Sequence, residues 1–163
     1  NAYRFAPNAQ AWVDPLGLEV DAVFNKRTGL LTIVDRETKQ VITGKFHSGN
    51  GTPDPKQPGA SIPSGQYNIL EHGQNPDFFR LEPIDKNYGD DTHEATRRNL
   101  FRLHKPGGSI GCVTAKDENN WKQVNAFIRS TKTSTSNVQS KSRNPFKWIF
   151  GEDLVKYGTL KVE

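Results

Sequence analysis

The residues of this sequence that could carry out chemistry are concentrated in one short segment. It contains the only cysteine of the chain, Cys112, and a histidine eight positions earlier, His104. A thiol whose pKa is about 8.5 is a weak nucleophile at neutral pH until its proton is removed. A nearby imidazole can accept that proton and form an ion pair with the thiolate. Gly107, Gly108 and Gly111 permit a tight return of the chain, so the segment predicts a nucleophilic cysteine activated by a histidine.

Two further residues of this segment are expected to assist the reaction. Gly111 carries no side chain, so backbone N–H groups near Cys112 can approach a developing oxyanion. Ser109 is expected to orient His104. An inert packing cysteine and a structural histidine are the alternative interpretation, but their combination with glycines and a helix signal favours catalysis.

A helix is predicted shortly after Cys112, over residues 115–130. Thr114 and Asp117 fit a capping box, in which side chains satisfy the free N–H groups at a helix start. Apolar residues then recur at helical spacing, namely Trp121, Val124 and Ile128. The positive end of such a helix would lie beside Cys112 and favour its thiolate.

The rest of the sequence predicts one mainly β domain with one or two helices. The 163 residues are 33% hydrophobic and include 14 glycines and 10 prolines, which favours strands and turns over a helix bundle. Alternation predicts a β-meander over 19–46 and strands over 66–71, 78–83, 99–104 and 159–162. Composition predicts a long functional loop over 48–65, a mobile tract over 131–144, and either strand or helix over 146–150. No apolar run is long enough to span a bilayer.

The segment around Cys112 resembles the active-site motif of the L,D-transpeptidase (YkuD-like) family, which reads His…Ser/Thr-x-Gly-Cys-hydrophobic-Arg. The matching residues are Ser109-Ile110-Gly111-Cys112-Val113, with His104 upstream. Two other family elements precede them in the expected order, Phe46-His47-Ser48-Gly49 and Pro63-Ser64-Gly65-Gln66-Tyr67-Asn68-Ile69. The resemblance covers most of residues 19–130. It implies a curved mixed sheet or sandwich with a helix following the catalytic cysteine.

The resemblance also implies a function and a set of site residues. The substrates would be peptidoglycan stem peptides, attacked by Cys112 to form a thioester, with His104 as base and then as acid. Water resolving the thioester would give L,D-carboxypeptidase action, and an amine acceptor would give L,D-transpeptidase exchange. The expected substrate-binding residues are His47, Ser48, Gly65, Tyr67, Arg102 and Thr114.

The sequence departs from the family motif at two positions. Ile110 stands where many members have a second histidine. Thr114 stands where the family has an arginine that helps to bind the substrate carboxylate. The candidates to supply the missing positive charge are Arg102, Lys105 and Arg80.

Residues 1–18 form a separate compositional unit. Their motif resembles the end of the core of rearrangement-hotspot (Rhs) polymorphic toxins, through Tyr3-Arg4-Phe5, Asn8 and Asp14-Pro15-Leu16-Gly17-Leu18. This implies self-cleavage after Leu18, with Asp14 at the position of a core aspartate, and release of residues 19–163 as a toxin domain. It also implies export with the Rhs core by a type VI secretion system, action in the periplasm of a target bacterium, and a cognate immunity protein. The absence of methionine suggests a processed piece.

Two functions of other classes remain open. The net charge is +4, and residues 129–147 carry five basic and no acidic side chains, which would suit a nucleic-acid-degrading toxin with His104 as acid and base. Such an enzyme would be indifferent to the loss of Cys112. A non-catalytic wall-binding module would bind sacculi without altering them. The transpeptidase-like motifs favour peptidoglycan over nucleic acid as partner, and the histidine spacing fits no metal-ligand pattern, so no metal or cofactor is expected.

Overall fold

The computed structural model describes residues 18–73, 75–141 and 143–163. The predicted self-cleavage motif at Asp14 therefore lies outside the described residues. Within the described ranges the chain forms nine strands and two helices. They are β1 (Val20–Asn25), β2 (Leu30–Asp35), β3 (Val41–Ser48), β4 (Gly65–Glu71), β5 (Phe78–Pro83), β6 (Arg102–His104), β7 (Val113–Ala115), α1 (Glu118–Ser130), β8 (Ser134–Val138), α2 (Pro145–Phe150) and β9 (Glu152–Val162).

The described strands form one mixed sheet that closes on itself. Their order is β1-β2-β3-β7-β6-β5-β4-β9-β8, and β1 also pairs with β9. The β1–β9 and β6–β7 pairs are parallel, and the other pairs are antiparallel. Strand β8 extends the sheet along the first half of β9. The architecture confirms the prediction of a mainly β fold with a curved mixed sheet and few helices.

The inner face of this closed sheet holds the core. In β1 every second side chain is buried, namely Val20, Ala22 and Phe24, as the two-residue period of a strand requires. The helix α1 adds one buried stripe, formed by Trp121, Val124 and Ile128. Neither helix of the described chain is long and apolar enough to cross a membrane.

The predicted start of the helix after Cys112 was wrong by three residues. The Asp117 side chain accepts a hydrogen bond from the Asn120 backbone N–H at 2.8 Å, and α1 begins at the next residue, Glu118. Thr114 belongs to β7, because this segment pairs with β3 and with β6. The positive end of the helix dipole consequently begins six residues beyond Cys112 and does not explain how the thiol is activated.

Three other local predictions needed correction. The tract over 131–144, predicted to be mobile, contains β8, whose Val138 packs with Leu70 and Leu154. The strand predicted over 99–104 is shorter in the structure, where it consists of β6 alone. The final strand, predicted over 159–162, is longer and forms β9. The ambiguous segment over 146–150 lies in helix α2. β8 is a strand because it pairs with β9, and the residue pattern within the tract over 131–144 does not predict this pairing.

Candidate active site

The parallel strands β6 and β7 place the chemistry-bearing side chains on one face of the sheet. Leu103 is paired with Val113 and both are buried in the core. The next pair along, His104 and Thr114, therefore projects from the opposite face. Cys112 directly precedes β7, and by the same alternation it lies on the side of Thr114. The fold thus brings His104 and Cys112 to one face at neighbouring positions.

The imidazole of His104 is held in a defined tautomer by two hydrogen bonds. Its Nδ1 lies 2.7 Å from the carbonyl oxygen of Lys105, and because a carbonyl only accepts, Nδ1 carries the proton. Its Nε2 therefore accepts from the hydroxyl of Thr114, at 3.1 Å. The ring stacks on Phe78, with 4.9 Å between ring centroids. The basic nitrogen is consequently the one that faces β7.

Burial sets the protonation states of both groups. Burial lowers the pKa of His104 and outweighs the opposing effect of the hydrogen bond to Lys105, so the imidazole is neutral at neutral pH. Burial also raises the pKa of the Cys112 thiol, which the Arg102 backbone N–H and the charges of Arg102 and Arg98 only partly offset. Both shifts favour the neutral forms, a thiol and an unprotonated imidazole, over the ion pair predicted from the sequence.

The thiol of Cys112 has its own contact in this resting state. Its Sγ lies 3.7 Å from the carbonyl oxygen of Leu100, to which it donates. Within the described chain, both nitrogens of His104 are engaged elsewhere, and no hydrogen bond joins the imidazole to the sulfur. Catalytic hydrogen bonds often form only once substrate is bound, so the lack of this bond in the resting state does not exclude the pair from catalysis.

Two serines fix the turn that carries Cys112. Ser109 donates to the Cys112 carbonyl at 2.7 Å and accepts from the Gly49 N–H at 3.0 Å. Ser48 donates to the Gly111 carbonyl at 2.9 Å. The expectation that Ser109 orients His104 was wrong, because its hydroxyl is used to tie the cysteine turn to the loop after β3. Ser48 likewise supports the turn.

Arg98 is a supporting residue that the sequence analysis missed. Its largely buried guanidinium donates to four backbone carbonyls, of Pro55, Ala60, Ser61 and Ile110. Gly111 has a φ of +137°, and a Cβ at this position would overlap the Arg98 guanidinium. The glycine is thus required both by its backbone conformation and by the arginine packed against it. Arg98 joins the loop over 49–64 to the cysteine turn, and its charge acts on Cys112.

The three cations proposed from the sequence to replace the missing arginine are all paired with carboxylates. Arg102 makes two hydrogen bonds to Asp91, at 2.8 and 2.6 Å. Arg80 is bound to the buried Glu82 and lies 3.7 Å from Asp91. The third cation, Lys105, lies 3.0 Å from a carboxylate oxygen of Asp77. Arg80 and Arg102 form one network with Glu82 and Asp91, and Lys105 forms a separate pair with Asp77, so each of the three cations already has a carboxylate partner.

A cleft of about 360 Å³ opens at Cys112. Its positively charged side chains are Lys56, Arg97 and Arg98, and the described residues that line it include no carboxylate. Leu100, Phe101 and Ile110 add apolar surface. This combination suits a ligand with both a carboxylate and an apolar part.

The other predicted substrate-binding residues have mixed positions. His47 is paired with Thr114 across β3 and β7, so it lies on the same face as His104, and its charge helps to lower the pKa of His104. Tyr67 is fully buried in the core and donates its hydroxyl to the Pro63 carbonyl at 2.8 Å. Gly65 begins β4, opposite Val162. Tyr67 and Gly65 therefore shape the fold and do not line this cleft. Among the described residues, no cluster of three metal-ligating side chains occurs.

The sequence matches a known family over more than half of its length. The family is described as the Tlde1 domain, and residues 44–139 match it. This range runs from within β3 to just after β8 and contains both His104 and Cys112. The chain therefore belongs to the Tlde1 domain family, whose members are type VI secretion effectors that act on peptidoglycan.

Solved structures similar to this chain include that of the helical cell shape determining protein Pgp2 from Campylobacter jejuni, with a TM-score of 0.47 and 16% sequence identity. The similarity covers 70% of this chain and 45% of Pgp2. A structure of a Pgp2 variant has a TM-score of 0.48, 16% identity, and coverage of 71% and 45%. The chain thus spans less than half the length of Pgp2. No curated protein matches the sequence.

Proposed function

We propose that this domain cleaves peptidoglycan stem peptides by L,D-acyl transfer, with Cys112 as nucleophile and His104 as general base and acid. The observation that carries the proposal is the pairing of β6 with β7. It places a neutral imidazole, with its basic Nε2 toward β7, on the same face as a thiol at the mouth of a cationic cleft. Membership of the Tlde1 domain family and the resemblance of the cysteine motif to L,D-transpeptidases support the same chemistry.

The first half of the reaction forms a thioester. The hydroxyl of Thr114 releases Nε2 of His104. The Cys112 thiol turns away from the Leu100 carbonyl, loses its proton to this nitrogen, and attacks the carbonyl carbon at the L-centre of stem residue three. The S–C bond forms while the C–N bond to the terminal D-alanine breaks. His104 then gives the proton to the leaving amine. Backbone N–H groups near Gly111, with the nearby charge of Arg98, stabilise the oxyanion.

The second half of the reaction releases the acyl group. Water attacks the thioester carbon and loses a proton to His104. The C–S bond then breaks, and His104 gives this proton to the departing sulfur of Cys112. The product is a shortened stem, which corresponds to L,D-carboxypeptidase action. If the amine of a D-amino acid or of another stem attacks instead, the product is an exchanged or cross-linked stem.

The cationic cleft provides the substrate selectivity in this proposal. Stem peptides carry several carboxylates, and Lys56, Arg97 and Arg98 line the cleft without a carboxylate partner among its described lining residues. Lys56 and Arg97 take the part that the family arginine would have at the position of Thr114. Arg98, whose terminal N–H groups donate to backbone carbonyls, contributes its positive charge. Thr114 itself is committed to His104, so its replacement by arginine would remove the hydroxyl that holds the base.

A nucleic-acid-degrading activity is less well supported. Of the five cations in the basic stretch, Arg129 packs over the Phe79 ring at 4.4 Å and donates to a backbone carbonyl. Lys132 pairs with Glu37, and Lys147 lies 3.4 Å from Glu152. Because these three cations are engaged within the fold, the stretch offers less charge to a phosphate backbone than its sequence suggests.

The proposed delivery of the domain follows from its family and from the motif over residues 1–18. Action on peptidoglycan requires arrival in the periplasm of a target cell, to which type VI secretion delivers effectors of this family. We further propose that an Rhs core carries the domain and is cut after Leu18, with Asp14 taking part. A cognate immunity protein would protect the producing cell.

The test uses disaccharide tetrapeptide muropeptides, incubated with the domain with and without added D-methionine and analysed by mass spectrometry. The wild type is expected to release D-alanine, or to exchange it, and Cys112→Ala to fall below about a thousandth of that rate. Thermal unfolding of both proteins controls for folding. Unaltered muropeptides with the wild type, or equal turnover by the folded variant, would overturn the proposal.

A further inference from the structure

We propose that a second cleft, which adjoins the Cys112 cleft at Leu100, binds the glycan strand of peptidoglycan, with Trp148 as the surface on which a sugar ring stacks. This inference rests on the proposed function, since it extends the same substrate beyond its peptide stem. The cleft has a volume of about 620 Å³, which is within the usual range for small-ligand sites.

The two clefts share one lining residue. Leu100 lines both of them, and its carbonyl oxygen is the partner of the Cys112 thiol. Leu100 has a positive φ of 60° and is 52% exposed, so it reaches the surface where the clefts adjoin. A polymer whose peptide branch enters the first cleft would lay its adjacent portion over Leu100 into the second.

The lining of the second cleft differs in chemistry from that of the first. It presents the indole of Trp148 together with carboxylate and amide side chains, among them Asp90, Gln139 and Glu152, and the cations Arg80 and Lys141 also line it. A sugar ring offers an apolar C–H face, which stacks on an indole, and a rim of hydroxyl and acetamide groups, which bond to carboxylates and amides. Among the described lining residues, the first cleft has only positive charges and suits the carboxylates of the stem, whereas the second has an indole and hydrogen-bonding groups of both signs, which suit the sugar part of the same polymer.

Trp148 lies on α2, in the connection between β8 and β9, and not in the core. Its backbone N–H donates to Asn144 at 3.0 Å. Asn137 on β8 donates to the carbonyl of Phe150 at 3.1 Å and to Asp153 at 2.9 Å, which attaches the end of α2 to both strands. The indole is nevertheless 74% exposed. An aromatic side chain held this way at the edge of a polar cleft is available for stacking.

The neighbouring side chains of α2 provide a matched control. Phe146 is also 74% exposed and lies two residues from Trp148, but it does not line the cleft. If α2 were only an apolar surface for another protein or for lipid, Phe146 and Trp148 would be equivalent. If the cleft binds glycan, only Trp148 matters.

The binding test uses stem-free glycan chains prepared from sacculi with an amidase, and Cys112→Ala protein, so that turnover plays no part. Trp148→Ala in this background is expected to weaken glycan binding about tenfold, and Phe146→Ala to leave it unchanged. Equal binding by the Trp148→Ala protein, or equal losses in both variants, would overturn the inference. Because this readout needs no catalysis, it can fail or succeed independently of the proposed reaction.

A kinetic comparison gives a second readout in the active protein. Trp148→Ala is expected to lower kcat/KM about tenfold on the disaccharide tetrapeptide and to leave that on the free tetrapeptide unchanged. A loss of the same size on both substrates would show that Trp148 acts on the peptide site or on folding, against a glycan cleft.

Discussion

The two faces of β6 and β7 differ completely in content although they belong to the same short strands. On the inner face, Leu103 and Val113 are buried among apolar side chains of the closed sheet. On the outer face, the side chains of His104 and Thr114 are hydrogen-bonded to each other, and Cys112 directly precedes β7 on this side. Positions one residue apart therefore serve different purposes. Inner-face substitutions should change the free energy of unfolding, and outer-face substitutions should change the reaction.

The largest expected effect on the outer face comes from His104→Gln. Glutamine can keep the hydrogen bonds to Lys105 and Thr114, but it cannot accept a proton from the thiol. We expect kcat to fall by about 10²–10⁴-fold, the usual contribution of a general base. The measurement is turnover of disaccharide tetrapeptide, with the melting temperature as control. If the folded variant turned over substrate at the wild-type rate, His104 would not be the general base. The functional difference between the two faces would then be contradicted.

The matching change on the inner face is Leu103→Ala. Leu103 is buried in the core, so its truncation should lower the free energy of unfolding by about 2–5 kcal/mol. Turnover per folded molecule should remain close to that of the wild type. Denaturant unfolding measures the first quantity and initial rates the second, with Val41→Ala at an exposed strand position as control. Loss of activity in fully folded Leu103→Ala would show that the two faces are not independent.

The smallest effect, and the one that best defines the outer face, is the pH dependence of kcat/KM. Burial lowers the pKa of His104 below its ordinary value of 6.5, so its neutral, basic form persists in more acidic solution. Burial raises the pKa of the Cys112 thiol above 9.0, so the thiol persists in more alkaline solution. We expect a broad plateau whose acidic limb lies below pH 6.5 and whose alkaline limb lies above pH 9.0. An ion-pair mechanism would instead give an acidic limb set by a lowered thiol pKa and an alkaline limb set by deprotonation of the imidazolium, at lower pH than the alkaline limb expected here.

The sequence predicted the inner face well, because burial imposes a period of two that is visible in a single strand. Val20, Ala22 and Phe24 follow it, and so do the helical positions Trp121, Val124 and Ile128. It failed where a strand depends on a distant partner. The tract containing β8 is polar and has no apolar alternation, and only its pairing with β9 makes it a strand.

For the candidate site, the sequence identified the reacting groups but not what holds them. Residue type and spacing identified His104 and Cys112. The alternating pattern also placed His104 at the end of a strand. Arg98 and Asp91 lie in a segment without periodicity, and their roles depend on carbonyls and a guanidinium brought close by the fold. The protonation states were also out of reach, because burial determines them and the sequence shows only residue types.

The closure of the sheet has a consequence for the order in which this molecule can acquire its structure. β1 pairs in parallel with β9, which also pairs with β4 and β8. Until β9 emerges from the ribosome, three strands made earlier have an edge with no partner. The closed sheet therefore cannot form until the residues of β9 have been translated, so its edge strands have to wait for a partner during most of the synthesis of this domain.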